Sequence, residues 1–196
     1  MKLLPTASQT VGPFLHLGLT WLTIDRMAAS DCPGQRVSIE GRVLDGDGRP
    51  VPDALVELWQ ANADGKYPNE PEALATNPSP RLPARPGDAG FRGFGRVPTD
   101  AEGRYRFVTI KPGPVADPEG GLQAPHVLVS VFMRGLLKRL VTRMYFPDEP
   151  RNADDRVLRL VPAERRETLV ARAMANGELE WNIILQGAGE TVFFDC

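Results

Sequence analysis

Three tyrosines (Tyr67, Tyr105, Tyr145) and two histidines (His16, His126) are the chain's phenols and imidazoles. Together such donors suit a hard, highly charged cation such as Fe(III), because anionic oxygen neutralises its charge. Their spacing is incomplete for that task. His126 sits in "QAPHVLVSVF" (123–132), a β-branched alternating run that predicts a strand. Residues two apart on a strand share a face, so a His-x-His pair there would aim two imidazoles at one metal. The second position holds Leu128. There is no His-x-x-x-His, no CxxC and no convincing 2-His-1-carboxylate grouping. A lone histidine at a strand start is more often a hydrogen-bonded structural residue.

Other chemistries fare worse. No GxSxG is present, and Cys196 has no evident base, which argues against nucleophilic catalysis. "GDAGFRGFGR" is glycine-rich but follows no strand-to-helix pattern, so it is not a phosphate loop. "PAERRE" reads as a solvated face.

The elements that must position these residues are short strands. Nineteen glycines and nineteen prolines punctuate alternating runs, the pattern of an all-β sandwich or barrel. Strands are predicted at 37–45, 54–61, 104–110, 126–133 and 139–146. "ETLVARAM" and "LEWNIILQ" flank the Asn-Gly hairpin signal of "ANGE", and "ETVFFD" reads as a closing strand. On 54–61 the alternation puts Leu55 and Glu57 on one face and Val56, Leu58 and Gln60 on the other. A short helix is expected near "ADDRVLRLV". Residues 1–36 read as an irregular arm with apolar anchors at Val11, Phe14, Leu15, Leu17, Leu19, Trp21 and Leu22. Residues 68–103 carry six prolines between Pro68 and Pro86 and read as a long loop without an element of its own. An apolar arm that cannot cover itself points to a second surface, and so to assembly.

At 196 residues, 42% hydrophobic and 24% charged, the chain is long enough for one domain with a real core, 37–196, beside the arm. A net charge of −2 leaves no footprint for nucleic acid or a membrane surface. No apolar run approaches the roughly 20 residues of a membrane span, and "MKLLPTASQ" has no signal-peptide core. Cys32 and Cys196 make no disulfide framework. The expected location is the bacterial cytoplasm.

Read together and in order, "TASQTVGPFLHLG", "GRVLDGDGRPVPDALVELWQANADGKY", "TDAEGRYRFVTIKPGPV", "APHVLVSVFMRGL", "TRMYFPDE" and "GETVFFD" cover most of the chain. In this set the chain resembles the intradiol ring-cleaving dioxygenases, and within them the α-type chains of the hetero-oligomeric members. The resemblance implies a prealbumin- or Ig-like Greek-key sandwich. It also implies a partner β chain that holds Fe(III) and cleaves a small aromatic catechol with O2. In the family, two tyrosines and two histidines hold the iron. Their positions fall on Tyr67, Val115, His126 and Leu128, and a supporting arginine position holds Gln123. Two of the four donors are therefore absent, so the resemblance implies a vestigial site with no metal or cofactor of its own and no catalytic residue in this chain. It further places Thr10, Gly12, Pro13 and Arg134 along the partner's substrate pocket. His16 and Tyr105 are assigned to structure. Two other readings stand beside this one: a self-sufficient metal enzyme with a different ligand set, and a non-catalytic prealbumin-like binding module.

Overall fold

The computed structural model describes residues 9–18, 20–68 and 90–195. The proline-rich stretch 69–89, Leu19 and Cys196 lie outside the described residues, as does the side chain of His16.

After a short helix α1 (Phe14–Gly18) and a 3₁₀ turn at Thr20–Leu22, strands make up most of the regular structure. The longer ones are β1 (Arg36–Leu44), β2 (Leu55–Gln60), β3 (Phe94–Pro98) and β4 (Arg104–Ile110). The two-residue strands β5 (Val115–Ala116) and β6 (Leu122–Gln123) pair with each other ahead of β7 (His126–Phe132) and β8 (Leu140–Tyr145). Helix α2 (Arg156–Leu160) precedes the short β9 (Arg172–Ala173), β10 (Leu179–Glu180) and β11 (Ile183–Ile184).

Apart from the separate β5–β6 pair, these strands form two open sheets. In one, β1 pairs antiparallel with β4 on one side and parallel with β10 and then β11 on the other; β9 extends it beyond β10. The other runs β3-β2-β7-β8, antiparallel throughout. Period-two alternation explains the core between them. Val37, Ile39 and Val43 of β1 and Tyr105 and Phe107 of β4 meet Val56 and Leu58 of β2, Val127, Val129 and Val131 of β7, and Met144 of β8. The outward rows of β2 and β7, such as Glu57 and Ser130, are only half-buried.

Gly41 shows how closely this core is drawn. A Cβ there would lie 1.8 Å from the Trp181 carbonyl oxygen, the same oxygen that accepts the Tyr105 hydroxyl at 2.5 Å. Tyr105 is therefore a structural residue, 4% exposed and locked to the segment between β10 and β11.

Several expectations need correction. The segment 68–103 does have an element of its own, β3, registered Trp59↔Phe94 to Leu55↔Pro98. Its sequence "FGRVP" hides a strand because Gly and Pro lower local β propensity, and the open edge of β2 overrides that. The arm does not stay irregular to residue 36. Ile24 bridges Arg96 on β3, Arg26 bridges Val108 on β4, and Met27 is fully buried in the shared core. "ETLVARAM" is mostly not strand: Ala163–Leu169 winds as 3₁₀, with the Thr168 hydroxyl bonded to the Arg165 carbonyl, and Leu169 is buried beside Leu158. The Asn-Gly hairpin forms, with Gly177 at φ 81° closing the turn between Met174 and Glu178. The closing strand reduces to one bridge, Phe194 to Val141. No described helix is long and apolar enough to cross a membrane.

Candidate functional site

"ANADGKY" connects β2 to the site. The Asn62 side chain accepts from the backbone N–H groups of Asp64 and Lys66, an Asx turn that folds the loop back. Gly65 sits at φ 75°, where a Cβ would lie 1.9 Å from the Pro114 carbonyl oxygen. Only glycine combines that conformation with that approach. The loop thus packs on the "KPGP" turn, which leads into Val115. Tyr67 is delivered onto Trp59, rings 6.0 Å apart and 8° from parallel.

His126 comes to the same place from β7. It is 1% exposed, and its Nδ1 lies 2.7 Å from the Ala124 carbonyl, which assigns the ring proton to Nδ1. Nε2 is then the acceptor facing the Tyr67 hydroxyl at 3.4 Å, a long contact. Tyr145, opposite His126 on β8, donates to Asp155 Oδ1 at 2.9 Å. Asp155 is completely buried; its carboxylate also accepts from the Ala124 and Leu158 N–H groups, both at 2.8 Å. One carboxylate thus caps α2, fixes the residue that orients His126, and fixes Tyr145.

Leu128 lies on the same face as His126, between Trp59 on β2 and Arg143 on β8. Val115 pairs with Gln123, whose Oε1 accepts from Arg143 at 2.8 Å. The structure therefore brings together Tyr67, Val115, Gln123, His126 and Leu128, five positions spread over 62 residues of sequence. Sequence reading missed Arg143 and Asp155. The signal for Arg143 was a charge on the "RLVTRMYF" face shared with Tyr145, which needs the β7–β8 register to be recognised.

Electrostatics follow from this packing. Burial, reinforced by the Arg143 guanidinium, pushes His126 down to about 4, against the opposing pull of the Ala124 carbonyl and Asp155. Burial raises Tyr67 above the ordinary phenol range, with Arg143 partly offsetting it, and raises Tyr145 further still. A folded-state histidine held below its unfolded value of 6.5 binds fewer protons than the unfolded chain between about pH 6.5 and 4. Stability should then fall as pH falls through that window, by up to about 1.4 kcal/mol per pH unit from this group. Thermal unfolding of wild-type protein against His126→Gln, measured from pH 7 to about pH 4, checks this: the variant should lose part of the slope, and identical slopes would refute it.

These residues do not fit a ferric ion. One protonated phenol and one imidazole converge, beside a permanent cation and two aliphatic side chains. Among the described residues no group of three or more His, Cys, Asp or Glu could hold a metal.

The remaining predicted residues gather elsewhere. β7 runs roughly 20 Å from His126 to Phe132, and Arg134 sits in the turn just past its end. There the Gly135 N–H donates to Thr10 Oγ1 at 3.0 Å, joining the arm to the β7–β8 hairpin. Arg134 is exposed and ion-paired with Asp53. Gly12 and Pro13 are exposed, and a Cβ on Gly12 would meet nothing within 4 Å. A cleft of about 340 Å³ opens beside the arm, walled by Val11, Phe132, Leu136, Lys138, Arg139 and Phe194 among others. Among the described residues, Phe14, Leu17, Trp21 and Leu137 are exposed apolar side chains, 70–79% accessible.

Comparison with known proteins adds three findings. The Dioxygenase_C family model, described as dioxygenase, matches residues 13–187. The protocatechuate 3,4-dioxygenase alpha chain of Burkholderia cepacia is 41% identical over 97% of this chain and 96% of its own, and the beta chain from the same organism is 36% identical over 94% and 77%. The solved dioxygenase domain of a dioxygenase carbohydrate-binding protein fusion from Streptomyces sp. SirexAA-E superposes at TM-score 0.60, with 25% identity, covering 85% of this chain and 89% of that one.

Proposed function

The chain belongs to the intradiol ring-cleaving dioxygenase family, and from that premise we propose that it is the non-iron α subunit of a protocatechuate 3,4-dioxygenase. The αβ enzyme opens protocatechuate (3,4-dihydroxybenzoate) with O2 between its two hydroxylated carbons to 3-carboxy-cis,cis-muconate, a step of aromatic catabolism in the β-ketoadipate route. Its ferric ion belongs to the β chain. The two open sheets around one core suit a prealbumin-like Greek-key sandwich, and the reaction suits a soluble cytoplasmic complex.

The observation that carries the reading is a separation. The donor positions that would hold iron lie at one end of β7 and are half replaced by Val115 and Leu128. The arm residues Thr10, Gly12 and Pro13 belong to the other end, roughly 20 Å along the strand, where Thr10 is bonded to Gly135 beside Arg134. They cannot serve a pocket at Tyr67 and His126. They can serve a pocket in a second chain, and the exposed apolar side chains of Phe14, Leu17 and Trp21 suit a partner surface.

In that role the chain shapes rather than catalyses. Gly12 lets backbone lie against a flat ring without a Cβ, and Pro13 fixes the direction of the arm. Arg134 holds Asp53 through an exposed ion pair, which is weak enough to yield to a substrate carboxylate. Bulk from the arm excludes water from the partner's site.

Expression with and without the β partner tests this. The chain alone should purify colourless and inactive, whereas co-expression should give a coloured, active complex. A chain that alone holds stoichiometric iron and cleaves protocatechuate would overturn the reading and favour the self-sufficient enzyme. The match over residues 13–187 disfavours a free-standing binding module.

A further inference from the structure

Arg143 has no part in the function so far. Its register places it directly opposite Leu128. Its guanidinium donates to Gln123 Oε1 at 2.8 Å, and Gln123 is itself paired with Val115. The cation is therefore tied by register to Leu128 and, through Gln123, to Val115, the two positions where the family's donors are missing. Its charge also bears electrostatically on both surviving donor positions, Tyr67 and His126, and on Tyr145. A half-buried positive charge thus faces two phenols, an imidazole and an amide, the polar groups a metal would otherwise address.

We propose that Arg143 is the resident cation of this pocket: it takes the metal's place, supplies the positive charge that the surrounding polar groups need, and keeps metal ions out. The proposal rests on the reading that this chain's own pocket is metal-free. Guanidinium suits the role because it cannot be deprotonated in a protein. A metal can displace a proton from a phenol or an imidazolium, but it cannot neutralise the guanidinium that way. It would have to approach a fixed like charge in a dehydrated site, where repulsion is poorly screened. Restoring the missing donors should therefore not restore a metal centre while Arg143 remains.

The test uses the αβ complex. Three sets are compared with wild type: Val115→Tyr with Leu128→His; the same pair with Arg143→Gln; and the same pair with Arg143→Lys. Iron per αβ unit and the visible absorption of the purified complex are the readouts, with size-exclusion chromatography to establish assembly. The donor pair alone should add no iron, and neither should the pair with Arg143→Lys, which keeps the charge. The pair with Arg143→Gln should add about one iron per αβ unit and a second ferric-phenolate absorption. If the donor pair binds added iron with Arg143 intact, or if no combination binds it, the proposal is wrong. Should the triple variant fail to assemble, Leu128→His with and without Arg143→Gln makes the same comparison with three donors. Iron between Tyr67 and His126 in the wild-type complex would instead defeat the underlying reading.

Discussion

Replacing Gly12 with tryptophan should raise the Michaelis constant of the αβ complex for protocatechuate at least about tenfold, a loss of roughly 1.4 kcal/mol in binding. Iron content should not change. The expectation comes from what Gly12 does not do within its own chain. Its φ is not in the left-handed region, and a Cβ there would meet nothing within 4 Å. A large side chain therefore costs this fold little, and any effect must come from another surface lying against the arm. In the proposed function that surface is a flat aromatic substrate approached by bare backbone, and an indole would occupy its space. Steady-state kinetics, iron analysis and size-exclusion chromatography on one preparation separate the outcomes. An unchanged Michaelis constant in an assembled complex would remove the arm from the pocket.

Asp155→Ala should destabilise the chain by about 3–5 kcal/mol, the range for breaking a buried charged network. For a chain of this size that lowers the thermal midpoint by roughly 10 °C. The carboxylate is fully buried and accepts from the Tyr145 hydroxyl and from the Leu158 and Ala124 N–H groups. Removing it leaves three buried donors without an acceptor and strips α2 of its cap. Asp155→Asn keeps one oxygen and should lose less. Equal midpoints for wild type and Asp155→Ala would show that this hub is not holding β7, β8 and α2 together.

What could be read from the sequence depended on whether the signal was local. β1, β4, β7 and β8 alternate strongly, and they emerged within one or two residues of their expected ends. β3 did not, because "FGRVP" acquires its strand conformation from the edge of β2. Met27 looked like part of an irregular arm because no local periodicity announces a residue buried by two single bridges. At the site, the family resemblance named Val115 and Leu128 as the positions where its metal donors would stand. What takes the donors' place could not be read there. Arg143 becomes meaningful only when the β7–β8 register sets it across from Leu128 and the β5–β6 pair brings Gln123 within reach. Asp155 starts the helix expected near "ADDRVLRLV", but that the same side chain fixes His126 through Ala124 emerges only from the fold.

Anomalous diffraction at the iron edge from crystals of the αβ complex addresses the central claim most directly. Iron signal should appear in the β chain and be absent from the space between Tyr67 Oη and His126 Nε2. A strong peak bonded to those two atoms would contradict it.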